Sequence, residues 1–463
     1  MAFNPRTFRE YDIRGVADRD LDDDTVADLG RVFAARVAAR PARGGARPRV
    51  AVGRDCRLTS PRLFEALSRG LRETADVVDI GVVATPNLYF AAHQLPVDGS
   101  IMITGSHNPP EDNGFKLLIG ADTLHGADIA ALRDDLAARR AAGTAPGPVV
   151  GVVERRDVVP AHLEFATRQL RLGERRCKVV VDGGNGAGGP SASALYRRLG
   201  FDVVELYCEM DGRFPHHHPD PTVPANLADL IARVRAEGAE VGIALDGDAD
   251  RIGAVDGTGR ILWGDQLMIL FGRAILDELP GARFIGEVKC SQAMYDELAR
   301  AGGQPEMWKV GHSLIKARMK ETGAALGGEM SGHMFFAHRY LGFDDAVYAG
   351  ARLLELLSRS PRTLAELAGA LPVMVNTPEI RVDCPDDRKF EVVRTVTARL
   401  RANPEVHAVV DIDGVRASFV GGWGLVRASN TQPALVMRCE AATPARLEEI
   451  RSIMEREIAE ARR

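Results

Sequence analysis

The chain has 463 residues, with 64 acidic and 59 basic side chains, a formal charge of −5 and 45% hydrophobic residues. That length suggests about three or four domains and enough interior to fold without disulfide staples. The charge mix is that of a folded protein, and its slight acidic excess argues against a general nucleic-acid binder while leaving room for a local basic pocket.

Six cysteines, Cys56, Cys177, Cys208, Cys290, Cys384 and Cys439, form no C-x-x-C pair. That excludes a zinc ribbon or thioredoxin-type motif and fits a reducing cytoplasm. The first residues carry Arg6, Arg9 and Glu10 without an apolar stretch, and no run of about 18 apolar residues occurs. Neither a signal peptide nor a membrane span is expected, and the expected location is cytoplasmic.

Residues 49–55 (RVAVGRD) predict a buried strand ending in a polar loop, and 60–75 a helix with Leu63, Leu67 and Leu71 on one face. Further strands are expected at 77–83 and 99–105. The same rhythm returns at 178–184, 201–207 and 240–248, and again at 283–291 and 324–332. Strands interleaved with helices imply βαβ units and a largely parallel sheet. Breaks are expected in the Gly/Pro-rich run 141–151, at 256–260 and near 358–363, giving units 1–150, 151–256, 257–368 and 369–463. In the last unit, strand-like stretches at 379–385, 407–419, 424–430 and 434–440 precede a helix over 443–463. Thr443 caps that helix, Pro444 opens it, and Leu447, Ile450, Met454, Ile458 and Ala461 form its apolar stripe. The pattern predicts three similar α/β domains, with mixed, largely parallel sheets, followed by a smaller α+β domain.

Four polar motifs follow predicted strands. In 103–117 (ITGSHNPPEDNGFKL), Ser106 is a candidate nucleophile or phosphate ligand, followed by His107 and prolines that stiffen the loop, with Lys116 in reach of an anion. In 245–251 (LDGDADR), Asp246, Asp248 and Asp250 place three carboxylates within five residues. A straight strand would space alternate residues about 6.6 Å apart, so the segment must curl, and like charges this close repel unless a cation sits among them. All-oxygen ligands favour Mg²⁺ or Ca²⁺, but an EF-hand would need Gly and Glu where Arg251 and Gly257 stand. A haloacid-dehalogenase pattern would make Asp246 a nucleophile, but Asp250 stands where it usually has Thr or Val. In 328–333 (GEMSGH), Glu329, Ser331 and His333 suit sugar hydroxyls. In 427–433 (RASNTQP), Arg427, Ser429, Asn430 and Thr431 suit a phosphate dianion.

Two motifs compete with these. Residues 184–189 fit G-x-G-x-x-G after a strand and before a helix, with Glu205 following, which is the context of a dinucleotide site. An NAD-dependent dehydrogenase is therefore the rival expectation. The HHHP run at 216–219 resembles a metal cluster, although adjacent histidines rarely face one ion and its prolines suggest a rigid linker.

Taken together and in order, from YDIRG (11–15) to RASNTQP, these motifs resemble the α-D-phosphohexomutase family. The resemblance implies three similar α/β domains and a C-terminal α+β domain around a central cleft. It implies that Ser106 carries a phosphoryl group and that Asp246, Asp248 and Asp250, with Ser106, hold one Mg²⁺. Arg251 lies beside the metal. Glu329 and Ser331 meet the sugar hydroxyls, with His333 near the reacting groups. The 427–431 segment grips the phosphate that is not reacting. Tyr11, Arg14, Lys116, Lys289 and His312 fall in matching motifs. Gly105 stands where alanine is common, and Val310 where threonine is common. Met330 favours hexose enzymes over the phosphoglucosamine mutases, the second alternative.

The implied activity is a reversible shift of phosphate between O1 and O6 of mannose or glucose, through a 1,6-bisphosphate that turns end for end. Glucose 1,6-bisphosphate is the expected activator, a phosphosugar the only expected partner, and a monomer the expected assembly, with a dimer as the alternative. His333, Lys116 and Arg14 are the candidates for proton transfer. The C-terminal domain is expected to close over the cleft when it meets phosphate, excluding water.

Overall fold

The computed structural model describes residues 3–40, 47–429 and 432–463. Asn430 and Thr431, both expected at the phosphate site, lie outside the described residues.

The chain forms four sheets in succession. In the first, strands Gly99–Ile103, Arg49–Arg54, Asp76–Val82 and Val153–Arg155 run parallel, while Asp112–Ile119 and Ile13–Val16 add antiparallel at one edge. Val50, Ala51 and Val52 are fully buried because helices cover both faces, which is why this strand reads as a continuous apolar run rather than an alternating one. The run 141–151 forms no strand, but the chain returns to the same sheet at Val153–Arg155.

The second sheet joins Asp202–Leu206, Lys178–Asp182 and Val241–Leu245 in parallel, then Ile252–Asp256 and Ile261–Leu262 antiparallel. Residues 256–260, expected as a break, are instead the tight turn between its last two strands, with Gly259 at φ +90°. The third sheet places Gln304–Trp308, Arg283–Glu287 and Leu326–Gly328 in parallel, with Met334–Phe336 antiparallel. These three sheets are mixed and largely parallel, as the pattern predicts.

The fourth sheet is antiparallel throughout. The stretch 407–419, expected as one strand, is a hairpin of Ala408–Val410 and Val415–Phe419. An Asp413-Gly414 turn breaks it. Gly414 sits at φ +81°, and a Cβ there would lie 2.3 Å from the Val426 carbonyl, so only glycine fits. The helix expected over 60–75 stops at Leu71. The closing helix runs Pro444–Ala461, with the Thr443 side chain accepting from the Arg446 amide.

The cores divide three against one. A single continuous cluster joins Leu88 and Met102 of the first unit, Val181 and Tyr196 of the second, and Phe284 and Leu353 of the third. The fourth unit has its own core around Leu400, Met437 and Met454, and meets the third through a small cluster of Val288, Trp423 and Leu425. The fourth unit is thus the one that can move as a body without opening a shared core. Among the described residues, no helix is long and apolar enough to cross a membrane.

Candidate active site

The three aspartates lie between strands. Val241–Leu245 ends, the chain curls through 246–250, and Ile252–Asp256 returns antiparallel. Asp246 closes the curl itself, its Oδ1 accepting from the amides of Asp250 at 3.0 Å and Arg251 at 3.1 Å. Ala249 takes φ +57° to complete the turn. One oxygen from each of Asp246, Asp248 and Asp250 falls within 4.8 Å of the others, as one small cation requires.

All three carboxylates are essentially inaccessible. Burial pushes each upward in pKa. Asp250 and Asp248 add to this at Asp246, which ends well above the usual carboxylate range. Lys116 and His333 outweigh burial at Asp250 and hold it well below that range. Lys116 comes from the first unit's strand Asp112–Ile119, and its Nζ donates to Asp248 Oδ2 at 2.7 Å and to Asp250 Oδ2. Burial opposes its charge, but the aspartates raise its pKa further. Thr85 also donates to Asp248 Oδ2, at 2.5 Å, which leaves Asp248 Oδ1 buried without a partner. An orphaned carboxylate oxygen in an all-oxygen donor set fits a hard divalent cation such as Mg²⁺.

Ser106 meets this pocket from the first unit. Its Oγ donates to Asp246 Oδ2 at 2.7 Å and lies 3.1 Å from His107 Nδ1. Ser106 sits at φ +49°, a left-handed conformation that costs a non-glycine residue roughly 1–2 kcal/mol. Arg57 holds the strained loop in place. Its fully buried guanidinium donates to the carbonyls of Ser106 at 2.8 Å, Asn108 at 2.6 Å, Asp112 at 2.9 Å and Pro109, and pairs with Asp55 at 3.2 Å. A Cβ on Gly105 would come 2.5 Å from that guanidinium, so a glycine before the serine goes with this arrangement. Burial, with Arg251 and Arg14, keeps His107 neutral by lowering its pKa well below normal. Arg14 pairs with Asp12 at 2.6 Å and donates to Asn108 at 2.9 Å.

The third unit supplies the opposite wall. His333 is held between Glu329, 2.5 Å from its Nδ1, and Asp250, 3.1 Å from its Nε2. Burial alone would depress its pKa, but Asp250 and Glu329 lift it to about 9. Arg251 Nε stands 3.3 Å from His333 Nε2, and Arg251 Nη1 3.4 Å from His107 Nε2. Glu329 also accepts from the Gly311 amide at 2.7 Å, and Ser331 Oγ lies 3.5 Å from His333 Nδ1. The His312 ring is 5.7 Å from His333 and 6.0 Å from Tyr11, and the Tyr11 hydroxyl donates to the Val310 carbonyl at 2.5 Å. Lys289 lies 3.6 Å from Glu287 and 3.6 Å from Glu379 of the fourth unit. Arg427 is buried on strand Gly422–Ala428, bound to Asp413 at 3.1 Å, and the buried Ser429 follows it. The expected residues of the first three units, from Tyr11 and Arg14 to His333, therefore lie around one site, Arg427 of the fourth unit joins it through Asp413 and the Val310 peptide, and Lys289 stands beside Glu287.

Sequence reasoning missed Asp55, Arg57, Thr85, Glu287 and Asp413. The only local sign of the first two was charge after the strand Arg49–Arg54. Glu287 accepts from the Met330 amide at 3.0 Å, and burial, opposed by Lys289, pushes its pKa up to about 7.

The dinucleotide expectation fails on packing. A Cβ on Gly186 would lie 2.6 Å from the Gly247 carbonyl, and one on Gly188 2.3 Å from Ala249 Cβ. The Ala187 amide donates to the Gly247 carbonyl at 2.9 Å. The glycine loop is buried against the aspartate curl and supports it, so no backbone is presented to a pyrophosphate. In the HHHP run, His216 faces Asn185 at 2.7 Å while His217 faces Asp182 at 3.1 Å, so the two do not converge on one ion.

Comparison with known proteins agrees with this geometry. Residues 5–137, 161–259, 263–374 and 379–457 match the family models for phosphoglucomutase/phosphomannomutase alpha/beta/alpha domains I, II and III and the C-terminal domain. The chain is 44% identical to phosphomannomutase/phosphoglucomutase of Pseudomonas aeruginosa, covering 97% of this chain and 95% of the relative. It is 43% identical to phosphoglucomutase of Neisseria gonorrhoeae, covering 96% and 95%. A crystal structure of a phosphoglucomutase/phosphomannomutase family protein from Burkholderia thailandensis superposes with a TM-score of 0.91 at 42% identity, covering 100% of this chain and 98% of that one.

Proposed function

The chain belongs to the phosphoglucomutase/phosphomannomutase family, and from that membership we propose an isomerase in which Ser106 carries the phosphoryl group between O1 and O6 of glucose and mannose phosphates. The family interconverts hexose 1- and 6-phosphates. The observation that supports Ser106 as carrier is its hydroxyl, 2.7 Å from Asp246 at the edge of a three-carboxylate pocket.

Asp246, Asp248 and Asp250, beside Ser106, would hold the Mg²⁺ on which the family depends. Bound there, the cation supplies positive charge against the transferring phosphoryl group. The chain's own groups do the rest. Phosphate on Ser106 adds about −1.5 to −2 charge. Lys116, already committed to two aspartates, is a fixed cation and not a base, and Arg251 adds a second positive charge beside the serine. His333 is the proton carrier. Glu329 fixes its Nδ1. With its pKa lifted to about 9, the ring rests as imidazolium and acts first as an acid, its Nε2 giving a proton to the oxygen that leaves and recovering one from the hydroxyl that attacks. Arg14, paired with Asp12, serves charge and loop position. Tyr11, Lys289, His312, Glu329 and Ser331 orient the sugar, and Arg427 with Ser429 grips the distal phosphate. The bisphosphate turns between two transfers, and glucose 1,6-bisphosphate restores any enzyme that has lost its phosphoryl group.

Intact mass tests the carrier. The purified enzyme is expected to show a component heavier by roughly 80 Da, one phosphoryl group, that diminishes when excess glucose 1-phosphate takes the group and departs as glucose 1,6-bisphosphate. A mass that stays at the unmodified value after incubation with glucose 1,6-bisphosphate would discard the phosphoserine.

Arg427→Ala tests the distal phosphate site. Losing a buried guanidinium that meets phosphate costs about 2 kcal/mol or more, so KM for glucose 1-phosphate is expected to rise roughly 30-fold. Steady-state kinetics with an unchanged KM would remove Arg427 from that role.

A further inference from the structure

The peptide at Val310 is held from two sides. Its carbonyl accepts from the Tyr11 hydroxyl of the first unit at 2.5 Å, and its amide donates to Asp413 Oδ2 of the fourth unit at 2.9 Å. The same Asp413 oxygen accepts from Arg427 Nε at 3.1 Å. Arg427 Nη2 is also 3.1 Å from that oxygen but is buried without a hydrogen-bond partner. One carboxylate oxygen thus touches both the arginine of the phosphate site and the backbone next to Gly311 and His312.

This placement is built by the sequence. Asp413 occupies the turn whose Gly414 packs at 2.6 Å, by its would-be Cβ, against the Arg427 backbone. The turn therefore cannot shift along the strand without disturbing Arg427. Gly311 takes φ +132°, and a Cβ there would strike the Tyr11 ring at 2.5 Å, so the loop that receives Asp413 is equally constrained. The fourth unit shares little apolar surface with the third, so polar contacts of this kind carry much of its registration.

We propose that Asp413 is the positioning residue of the phosphate site: it orients the Arg427 guanidinium toward the cleft and fastens the fourth unit to the Val310 amide. The proposal rests on Arg427 as a phosphate ligand. With Nε donating to Asp413 and Nη2 3.1 Å from the same oxygen, the guanidinium is held by that edge, and its remaining N–H groups are those left to pair with a phosphate. Without the carboxylate, the guanidinium must be ordered by the substrate itself, and binding weakens while the chemistry at Ser106 does not.

The test is a double-mutant cycle of Asp413→Asn and Arg427→Ala, read as KM and kcat for glucose 1-phosphate with the thermal midpoint of each protein. Asp413→Asn is expected to raise KM about tenfold with kcat within threefold of the parent, and to add nothing in the Arg427→Ala background. An unchanged KM, penalties that multiply in the double variant, or a loss of kcat and thermal midpoint without a KM effect would each overturn the proposal. Arg427→Ala with the parent's KM would instead overturn the phosphate-site role, and the proposal with it, and that outcome is visible in the single variant. Should Asp413→Asn fail to fold, Asp413→Glu, which keeps the charge but displaces it, carries the same cycle.

Discussion

Ser106→Ala is expected to reduce turnover by at least about 10⁴-fold, because a reaction that passes through a covalent carrier has no second route when the carrier atom is gone. The fold itself should survive. The hydroxyl is buried but its loss removes only one donor to Asp246 Oδ2, while Oδ1 keeps the amides of Asp250 and Arg251. The left-handed backbone at Ser106 is imposed by Arg57 on its carbonyl and Thr104 on its amide, neither of which involves the side chain. The buried Asp246 oxygen left unpaired makes the expected loss of stability about 1–3 kcal/mol in the metal-free protein. The roughly 80 Da component should be absent under every phosphorylating condition. Turnover within a hundredfold of the parent, measured in a coupled assay of glucose 6-phosphate formation, would mean that another group carries the phosphoryl.

Much of this site was legible because its chemistry is local. A straight strand would hold the three carboxylates about 6.6 Å apart, too far for one cation, so the curl at 246–250 follows from reading them as ligands of a single ion. The parallel strands were legible because burial on both faces leaves an unbroken apolar run, as in Val179–Val180–Val181. What the sequence hid was non-local. Arg57 acts on carbonyls at 106–112, about fifty residues away, and nothing in its neighbourhood shows that. The glycines at 184–189 have the spacing of a nucleotide loop, but their purpose is close approach to Gly247 and Ala249, which exists only once the second sheet is assembled. The 407–419 stretch hid its turn because apolar residues continue on both sides of Asp413-Gly414, and the aspartate's partners, Val310 and Arg427, lie on other strands and loops.

Lys116→Met is expected to cost the metal-free protein about 3–5 kcal/mol, the penalty for leaving buried charge without its partner. Methionine keeps the apolar stem within a strand whose interior is fully packed, so the effect isolates the ammonium. Lys116 binds Asp248 and Asp250 together, and with it gone the buried trio is balanced by Arg251 and His333, with Arg14 farther off. In chelator, the first thermal transition is expected to fall by about 10 °C. Added Mg²⁺ should restore much of that, since a cation among the aspartates returns the missing charge and stabilises by mass action. The pH dependence has a definite sign. In the parent, Asp250 is held well below the usual carboxylate range, so it contributes stability that is present above its unfolded pKa of about 4 and lost as pH falls through its folded value. In the variant that contribution is gone and the trio's pKa values rise, so protonation relieves it. The gap between parent and variant is therefore expected to narrow as pH drops from 7 toward about 4. Equal midpoints for the two proteins in chelator at pH 7 would show that the aspartates do not depend on Lys116 for their balance.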